Sequence, residues 1–463
     1  MNDLFHNIML NTDSYKHSHY LQYPENTTSV FSYIESRGGV YDDVVFFGLQ
    51  AFIKEYLLQP ITLEQIETAK QIVEAHVEPF NYDGWMYILN TYGGKLPLAI
   101  YAAPEGSVIP NKNILVSVVN TDPNCFWLTS FIETSLLRAV WYPSTVATVS
   151  YNCRKIIKKW LEQTGDVTSL PFKLHDFGAR GVSSLESAAL GGLAHLATGA
   201  IGTDTMSALI AAKLYYNTDI AGYSIPASEH STMTILGREG ETKQMERMVR
   251  TFGKQGAIFA CVSDGYDIYD AVQNKWGGSL KQLVIDSGAT LVVRPDSGDP
   301  AQVVLKVIKL LDDAFGSTIN EKGYKVLHPS VRVIQGDGIN EQSINTICML
   351  LAGNGYSIDN IAFGMGGALL QHINRDTNKW AMKCSAAVVD GEVLDVYKDP
   401  ITDPGKTSKK GLLSLYKTNE GYKTFKLGDA ITGEEVLSLV YSKGDLVKDI
   451  SLDDVRNRVL QSL

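Results

Sequence analysis

Positive charge is in short supply in this chain: 41 Lys and Arg face 51 Asp and Glu, a formal net charge of -10 with His neutral. A protein built to neutralise nucleic-acid phosphates needs clustered cations on a basic domain, so no nucleic-acid partner is expected. A local cationic site for a small anion stays compatible with this balance. Cysteine is scarce too. Cys125, Cys153, Cys261, Cys348 and Cys384 are odd in number and scattered, with no C-x-x-C pair. That argues against a disulfide framework or a zinc site, so no metal ligands are assigned, and it fits a reducing compartment. No apolar run approaches the ~20 residues of a membrane span, so no membrane partner is expected. The start, Met1-Asn2-Asp3-Leu4-Phe5-His6, lacks a basic region followed by an apolar one. The expected location is the cytoplasm.

What is present is the composition of a globular protein, 44% hydrophobic and 20% charged over 463 residues, enough for a large core and more than one domain. Residues 62–77 place Leu63, Ile66, Ala69 and Ile72/Val73 at helical spacing behind a Thr62 cap. From about Pro171 strand-like runs alternate with helical ones. Residues 172–177, 222–225, 257–262, 290–293, 331–334 and 360–363 read as strands; 280–286 and 302–315 read as helices. Such alternation predicts a largely parallel sheet, closed or nearly closed into a barrel. After Asp376 the alternation fades into a polar, turn-rich loop at 398–411 and a strand at 412–416. The closing segment is expected to join the N-terminal part in a second, sheet-rich α+β domain. The division is 166–375 for the barrel and 1–165 plus 376–463 for the other domain.

The tails behind the strands carry the chemistry. They read Asp-Phe-Gly-Ala-Arg at 176–180, Ser-Asp-Gly at 263–265, Arg-Pro-Asp-Ser-Gly at 294–298, Gln-Gly-Asp-Gly at 335–338 and Gly-Met-Gly-Gly at 364–367. Any one of these could merely end a strand and cap a helix. Five in series, with two arginines and several acids, suggest a site at the carboxyl ends of parallel strands. Gly366 and Gly367 could offer backbone N–H groups to a phosphate at a helix start, or simply allow close packing. Arg180 and Arg294 could hold phosphate oxygens, or pair with Asp176 and Asp296. Asp296 and Asp337 could accept from ribose hydroxyls or meet a phosphate-bound Mg²⁺ through water.

His230 lies in Gly-Tyr-Ser-Ile-Pro-Ala-Ser-Glu-His-Ser-Thr-Met-Thr, residues 222–234. A lone histidine is more often structural than functional. Here Asp264 and Asp296 arrive from neighbouring strand ends, and a carboxylate on one ring nitrogen frees the other as base or nucleophile.

Taken in order, these motifs resemble a known family. Thr12-Asp13-Ser14-Tyr15-Lys16, His175 through Gly181, Gly202-Thr203-Asp204, Ala227 through Ser231, Ser263 through Asp267, Arg294 through Gly298 and Gln335 through Gly338 follow the sequence order of the nicotinamide phosphoribosyltransferases. The resemblance covers nearly the whole chain. It implies an irregular TIM-like α/β barrel, a sheet-rich α+β domain built from both chain ends, and a homodimer with shared active sites. It implies nicotinamide, phosphoribosyl pyrophosphate and ATP as substrates, Mg²⁺ carried with the phosphates, and nicotinamide mononucleotide and pyrophosphate as products in NAD salvage. His230 would be phosphorylated by ATP, with Asp264 and Asp296 positioning it. Nicotinamide would stack between Phe177 and Tyr15 of the partner subunit, with Asp13 and Arg294 nearby. Asp204 would accept from the carboxamide, since an ionised carboxylate repels nicotinate but suits an amide. Arg180, Arg294, Asp296, Gly336, Asp337, Gly366 and Gly367 would bind ribose and phosphate, with Arg37, Arg375 and Lys383 adding charge. Ala179 departs from the family, which often has an aromatic residue there. The competing readings are a nicotinate phosphoribosyltransferase and a non-catalytic dimeric scaffold of the same fold.

Overall fold

The computed structural model describes residues 4–402 and 407–463, which fall into two compact units. Met1, Asn2 and Asp3, read above as part of the chain start, and residues 403–406 of the polar loop lie outside the described residues. One unit takes the chain up to 148, residues 211–218 and residues 373–462; the other takes 149–210, 219–372 and 463. No helix among the described residues is long and apolar enough to cross a membrane.

The first unit is centred on a seven-stranded antiparallel sheet. Its strands run in the order Glu392–Asp395, Trp380–Val389, Thr27–Ser36, Ile114–Asn120, Leu98–Ala102, Ser438–Ser442 and Asp445–Leu446. Strands from both chain ends are neighbours, with Tyr33 opposite Lys383 where Thr27–Ser36 meets Trp380–Val389. Trp85, Trp127 and Phe131 meet edge to face in the core of this unit, a geometry that suits the ring quadrupoles. The helix expected from 62 runs over Leu63–Ala75. Thr62 and Gln65 cap it reciprocally, and Ile66, Ala69 and Val73 form its buried stripe.

The second unit holds a six-stranded sheet, parallel throughout. Its order is Gly202–Thr203, Leu174–Asp176, Ile361–Met365, Val331–Gln335, Thr290–Arg294 and Ile258–Val262. The inner strands are mostly buried, which is why they read as largely apolar runs rather than alternating ones. The crossover helix between Thr290–Arg294 and Val331–Gln335 is specified locally. Pro300–Phe315 starts at Asp299, whose side chain accepts from Gln302 N–H, has Pro at its first turn, and ends at Gly316 with φ of 83°. Val303, Val304, Val307, Ile308, Leu311 and Phe315 are its buried stripe. Each such side chain contributes roughly 1.5–3 kcal/mol on burial.

Two expectations are revised. The strand predicted at 222–225 is reduced to a single-residue bridge, Tyr223 to Gly202, followed by a second bridge from Ala227 to Ala260. The same segment thereby touches both edge strands of the curled sheet. Pro226 has no N–H to extend a ladder, although its carbonyl accepts from Ala260 N–H. The helix expected after Gly364 is a single turn, Gly367–Leu370, because the buried apolar run stops at Leu370 before exposed Gln371 and His372.

Candidate active site

His230 opens the short helix His230–Thr234 just after Glu229, and its Nε2 donates to Asp264 Oδ1 at 2.9 Å. Asp264 is only 5% exposed at its side chain, while the imidazole is 49% exposed and so within reach of a ligand. Ser297 Oγ donates to Asp264 Oδ2 at 2.6 Å, and the Asp296 N–H donates to the same oxygen at 3.1 Å. Burial pushes the Asp264 carboxyl up, but the bonds from Ser297 and His230 outweigh it and hold it below its usual range. An ionised acceptor on Nε2 fixes the ring proton there and leaves Nδ1 with its lone pair. Nδ1 makes no hydrogen bond among the described residues.

Asp296 does not face the imidazole with its carboxylate. Its Oδ1 takes both Nε and Nη2 of Arg294, at 3.1 and 2.7 Å. It acts on His230 only through its backbone bond to Asp264. The Arg294 guanidinium in turn lies 5.7 Å from the centre of the Phe177 ring, a cation–π distance. Phe177 is anchored by its N–H to Met365 O at 3.0 Å. Gly364 makes room for its ring: a Cβ at 364 would come 2.0 Å from Phe177 Cε2, whereas one at 336 would meet it at an ordinary contact distance of 3.5 Å. The ring therefore lies directly on the backbone of the neighbouring strand.

Asp204 follows the two-residue strand Gly202–Thr203 and is exposed. Its N–H donates to Asp176 O at 3.0 Å, and its Oδ1 accepts from Ser224 Oγ at 2.6 Å. Asp176 is fully buried; burial raises its carboxyl, offset in part by bonds from Thr205, Gly178 N–H and Thr203. It is not the partner of Arg180. Arg180 sits on the turn Ala179–Gly181, exposed, with no carboxylate partner among the described residues. Asp337 is exposed and its carbonyl accepts from Gln335 Nε2 at 2.9 Å. Gly366 precedes the one-turn helix and Gly367 is its first residue.

The remaining predicted residues belong to the sheet-rich unit. Asp13 Oδ2 accepts from Thr134 Oγ1 at 2.7 Å, and the exposed Tyr15 ring meets His19 edge-on at 4.9 Å. Arg37 Nε donates to Glu35 Oε1 at 3.0 Å, while its Nη2 is buried without a hydrogen-bond partner. Lys409 also pairs with Glu35. Lys383 Nζ donates to Met382 O at 2.7 Å and stands 3.8 Å from Glu133. Burial lowers the Lys383 ammonium, only partly offset by Glu133. Arg375 is exposed, 3.6 Å from Asp376.

Three contributors escaped the reading of the sequence. Ser224 touches Asp204, Ser297 touches Asp264, and Gly364 lies under Phe177. Ser224 and Ser297 stand inside quoted motifs, but serine is common in loops, and its partner is visible only in three dimensions.

Two family descriptions match the chain: the nicotinate phosphoribosyltransferase (NAPRTase) family over residues 172–442, and the nicotinamide phosphoribosyltransferase N-terminal domain over residues 7–100. A protein named nicotinamide phosphoribosyltransferase from Xanthomonas campestris pv. campestris is 53% identical over 458 residues, covering 97% of each chain. One of the same name from Acinetobacter baylyi is 32% identical over 490 residues, covering 97% of this chain and 96% of its own. Among solved structures, nicotinate-nucleotide pyrophosphorylase from Pyrococcus furiosus has a TM-score of 0.64 at 15% identity, covering 100% of this chain and 96% of that one. Human nicotinic acid phosphoribosyltransferase has a TM-score of 0.56 at 16% identity, covering 97% of this chain and 93% of its own. At such identities the structural likeness speaks for the fold.

Proposed function

The chain belongs to the nicotinamide phosphoribosyltransferase family, and on that premise we propose that it makes nicotinamide mononucleotide and pyrophosphate from nicotinamide and phosphoribosyl pyrophosphate, coupled to ATP hydrolysis through a phosphohistidine at His230. The observation that carries the reading is the His230–Asp264 pair. Asp264 holds Nε2 and its proton, so the Nδ1 lone pair attacks the γ-phosphorus of ATP. The new N–P bond forms as the bond to ADP breaks, and Asp264 stabilises the positive charge that develops on the ring. Water later takes the phosphoryl group and restores the imidazole.

In the glycosyl step the pyridine nitrogen attacks the ribose C1 while the bond to pyrophosphate breaks. The pyridine lone pair makes a protein base unnecessary. Developing positive charge on the ribose is stabilised by nearby carboxylates, Asp296 and Asp337 among them, while cations stabilise the leaving pyrophosphate. Phe177 offers a flat face to the pyridine, with Tyr15 of the partner subunit proposed on the other side, near Asp13, and Arg294 at the ring's edge. Arg180, at a strand end with no carboxylate partner among the described residues, and the backbone at Gly336, Gly366 and Gly367 suit phosphate and ribose. Arg375, Lys383 and Arg37 are proposed further phosphate contacts, and the orphan Nη2 of Arg37 is a donor that a phosphate oxygen would satisfy. Mg²⁺ would be carried in with the phosphate-bearing substrates. A homodimer is supported by Met206, Ile210 and Leu214, an exposed apolar stripe at four-residue spacing on one helix. We place the enzyme in the cytoplasm.

The test is chemical. After brief incubation with γ-labelled ATP, the label should be acid-labile, map to His230 and sit on Nδ1, as read by isomer-specific phosphohistidine antibodies. Label on Nε2 contradicts the assigned geometry; no label on His230 contradicts the phosphohistidine.

A further inference from the structure

The Ser224 hydroxyl donates to Asp204 Oδ1 at 2.6 Å, and we propose that this bond makes Ser224 a positioning residue that sets the preference for a pyridine amide over a pyridine acid. The inference rests on the reading of Asp204 as the acceptor for the carboxamide.

Backbone contacts hold both partners in place. Tyr223 N–H donates to Ile201 O at 2.7 Å, and Thr203 N–H donates to Tyr223 O at 3.0 Å. Tyr223 bridges Gly202 in the parallel sense, so Ser224 is delivered alongside the residue that follows Thr203. Asp204 is tied from its other side by its N–H to Asp176 O. The approach of hydroxyl to carboxylate is thus set by the segment touching both edges of the sheet.

The consequence lies in the count of protons. A serine hydroxyl has one proton and two lone pairs. Here the proton is committed to a carboxylate, a charge-assisted bond stronger than a neutral one. Ser224 Oγ therefore offers a ligand only lone pairs. Asp204 Oδ2 receives no hydrogen bond among the described residues, so it too is an open acceptor. A carboxamide brings two N–H donors to this acceptor-only pair, and a carboxylate brings none. Were Ser224 free, it could turn its proton toward an acid ligand and soften the discrimination. Bound to Asp204, it also fixes the plane of the carboxylate before any ligand arrives, which lowers the entropy lost on binding.

The test compares Ser224→Ala and Ser224→Thr with the wild type and with Asp204→Asn. Steady-state assays use phosphoribosyl pyrophosphate and ATP with nicotinamide or nicotinate. Both residues are exposed, so the fold should tolerate the changes, and melting temperature checks this. We expect Ser224→Ala to raise KM for nicotinamide about fivefold, to leave kcat within about twofold, and to narrow the amide-to-acid preference. Ser224→Thr, which keeps the hydroxyl, should restore that preference. If Ser224→Ala keeps the wild-type preference while Asp204→Asn abolishes it, the role of Ser224 is overturned and that of Asp204 stands. Equal loss of kcat for both pyridines, unrelieved by Ser224→Thr, marks a structural role and also overturns it. A wild type with no preference for nicotinamide overturns both readings.

Discussion

The Phe177 ring lies on Gly364 so closely that a Cβ at 364 would come within 2.0 Å of Phe177 Cε2. Gly364 itself is buried within the strand Ile361–Met365. The platform proposed for the pyridine is thus a ring pressed onto bare backbone, its height fixed by the lack of a side chain beneath it.

Gly364→Ala should therefore damage nicotinamide binding before it damages the fold. The methyl must displace the ring, a strain of about 1–3 kcal/mol. Nicotinamide KM should rise about tenfold, while phosphorylation of His230 by ATP, which does not use the ring, stays within about twofold. An unchanged KM would mean that the Phe177 face does not hold the pyridine.

A pH experiment addresses His195. Its Nε2 donates to Gly202 O at 3.2 Å, so its Nδ1 accepts from the Ser150 hydroxyl at 2.8 Å, and the neutral ring is satisfied on both sides. Burial above all, and then the charge of Arg154, lowers its pKa from 6.5 to about 3. The unfolded chain therefore binds this proton first, and stability present above pH 6.5 is lost as pH falls toward 3. The slope is about 1.4 kcal/mol per pH unit for this one group. Denaturant titrations of wild type and His195→Gln should show a shallower acid slope in the variant.

Lys173 is a structural counterpart. Its buried Nζ donates to the carbonyls of Ile358, Asp359 and Ile361, each at 3.0 Å. Lys173→Met removes all three donors and leaves three acceptors behind the strand that carries Gly364. We expect a loss of about 3 kcal/mol or more in unfolding free energy, read by denaturant titration. A loss below about 1 kcal/mol would mean that water replaces the ammonium.

Much of this architecture was legible because it is locally encoded. Thr290–Arg294 and Val331–Gln335 are short Val- and Ile-rich runs without apolar–polar alternation, as mostly buried parallel strands tend to be. Pro300–Phe315 announces itself with an Asp cap, a first-turn Pro and a closing Gly. The bridging segment at Tyr223 and Ala227 was misread as a strand because its apolar residues suggest one, while Pro226 prevents it. Gly202–Thr203 is too short to leave a pattern. In the candidate site, the meeting of His230 with Asp264 could be anticipated from two strand ends. For Asp296 the sequence allowed either His230 or Arg294 as partner, and only the structure shows that its carboxylate takes Arg294. The bonds of Ser224 and Ser297 depend on hydroxyl placement, which leaves no periodic trace.

The most direct measurement of the central claim is a paired assay of the purified protein with phosphoribosyl pyrophosphate, Mg²⁺ and ATP, offering nicotinamide or nicotinate and identifying the mononucleotide by mass. The account predicts nicotinamide mononucleotide as the preferred product, with ATP hydrolysed alongside and that hydrolysis lost in His230→Ala. Preferential formation of nicotinate mononucleotide, or ATP-coupled turnover that survives in His230→Ala, would contradict it.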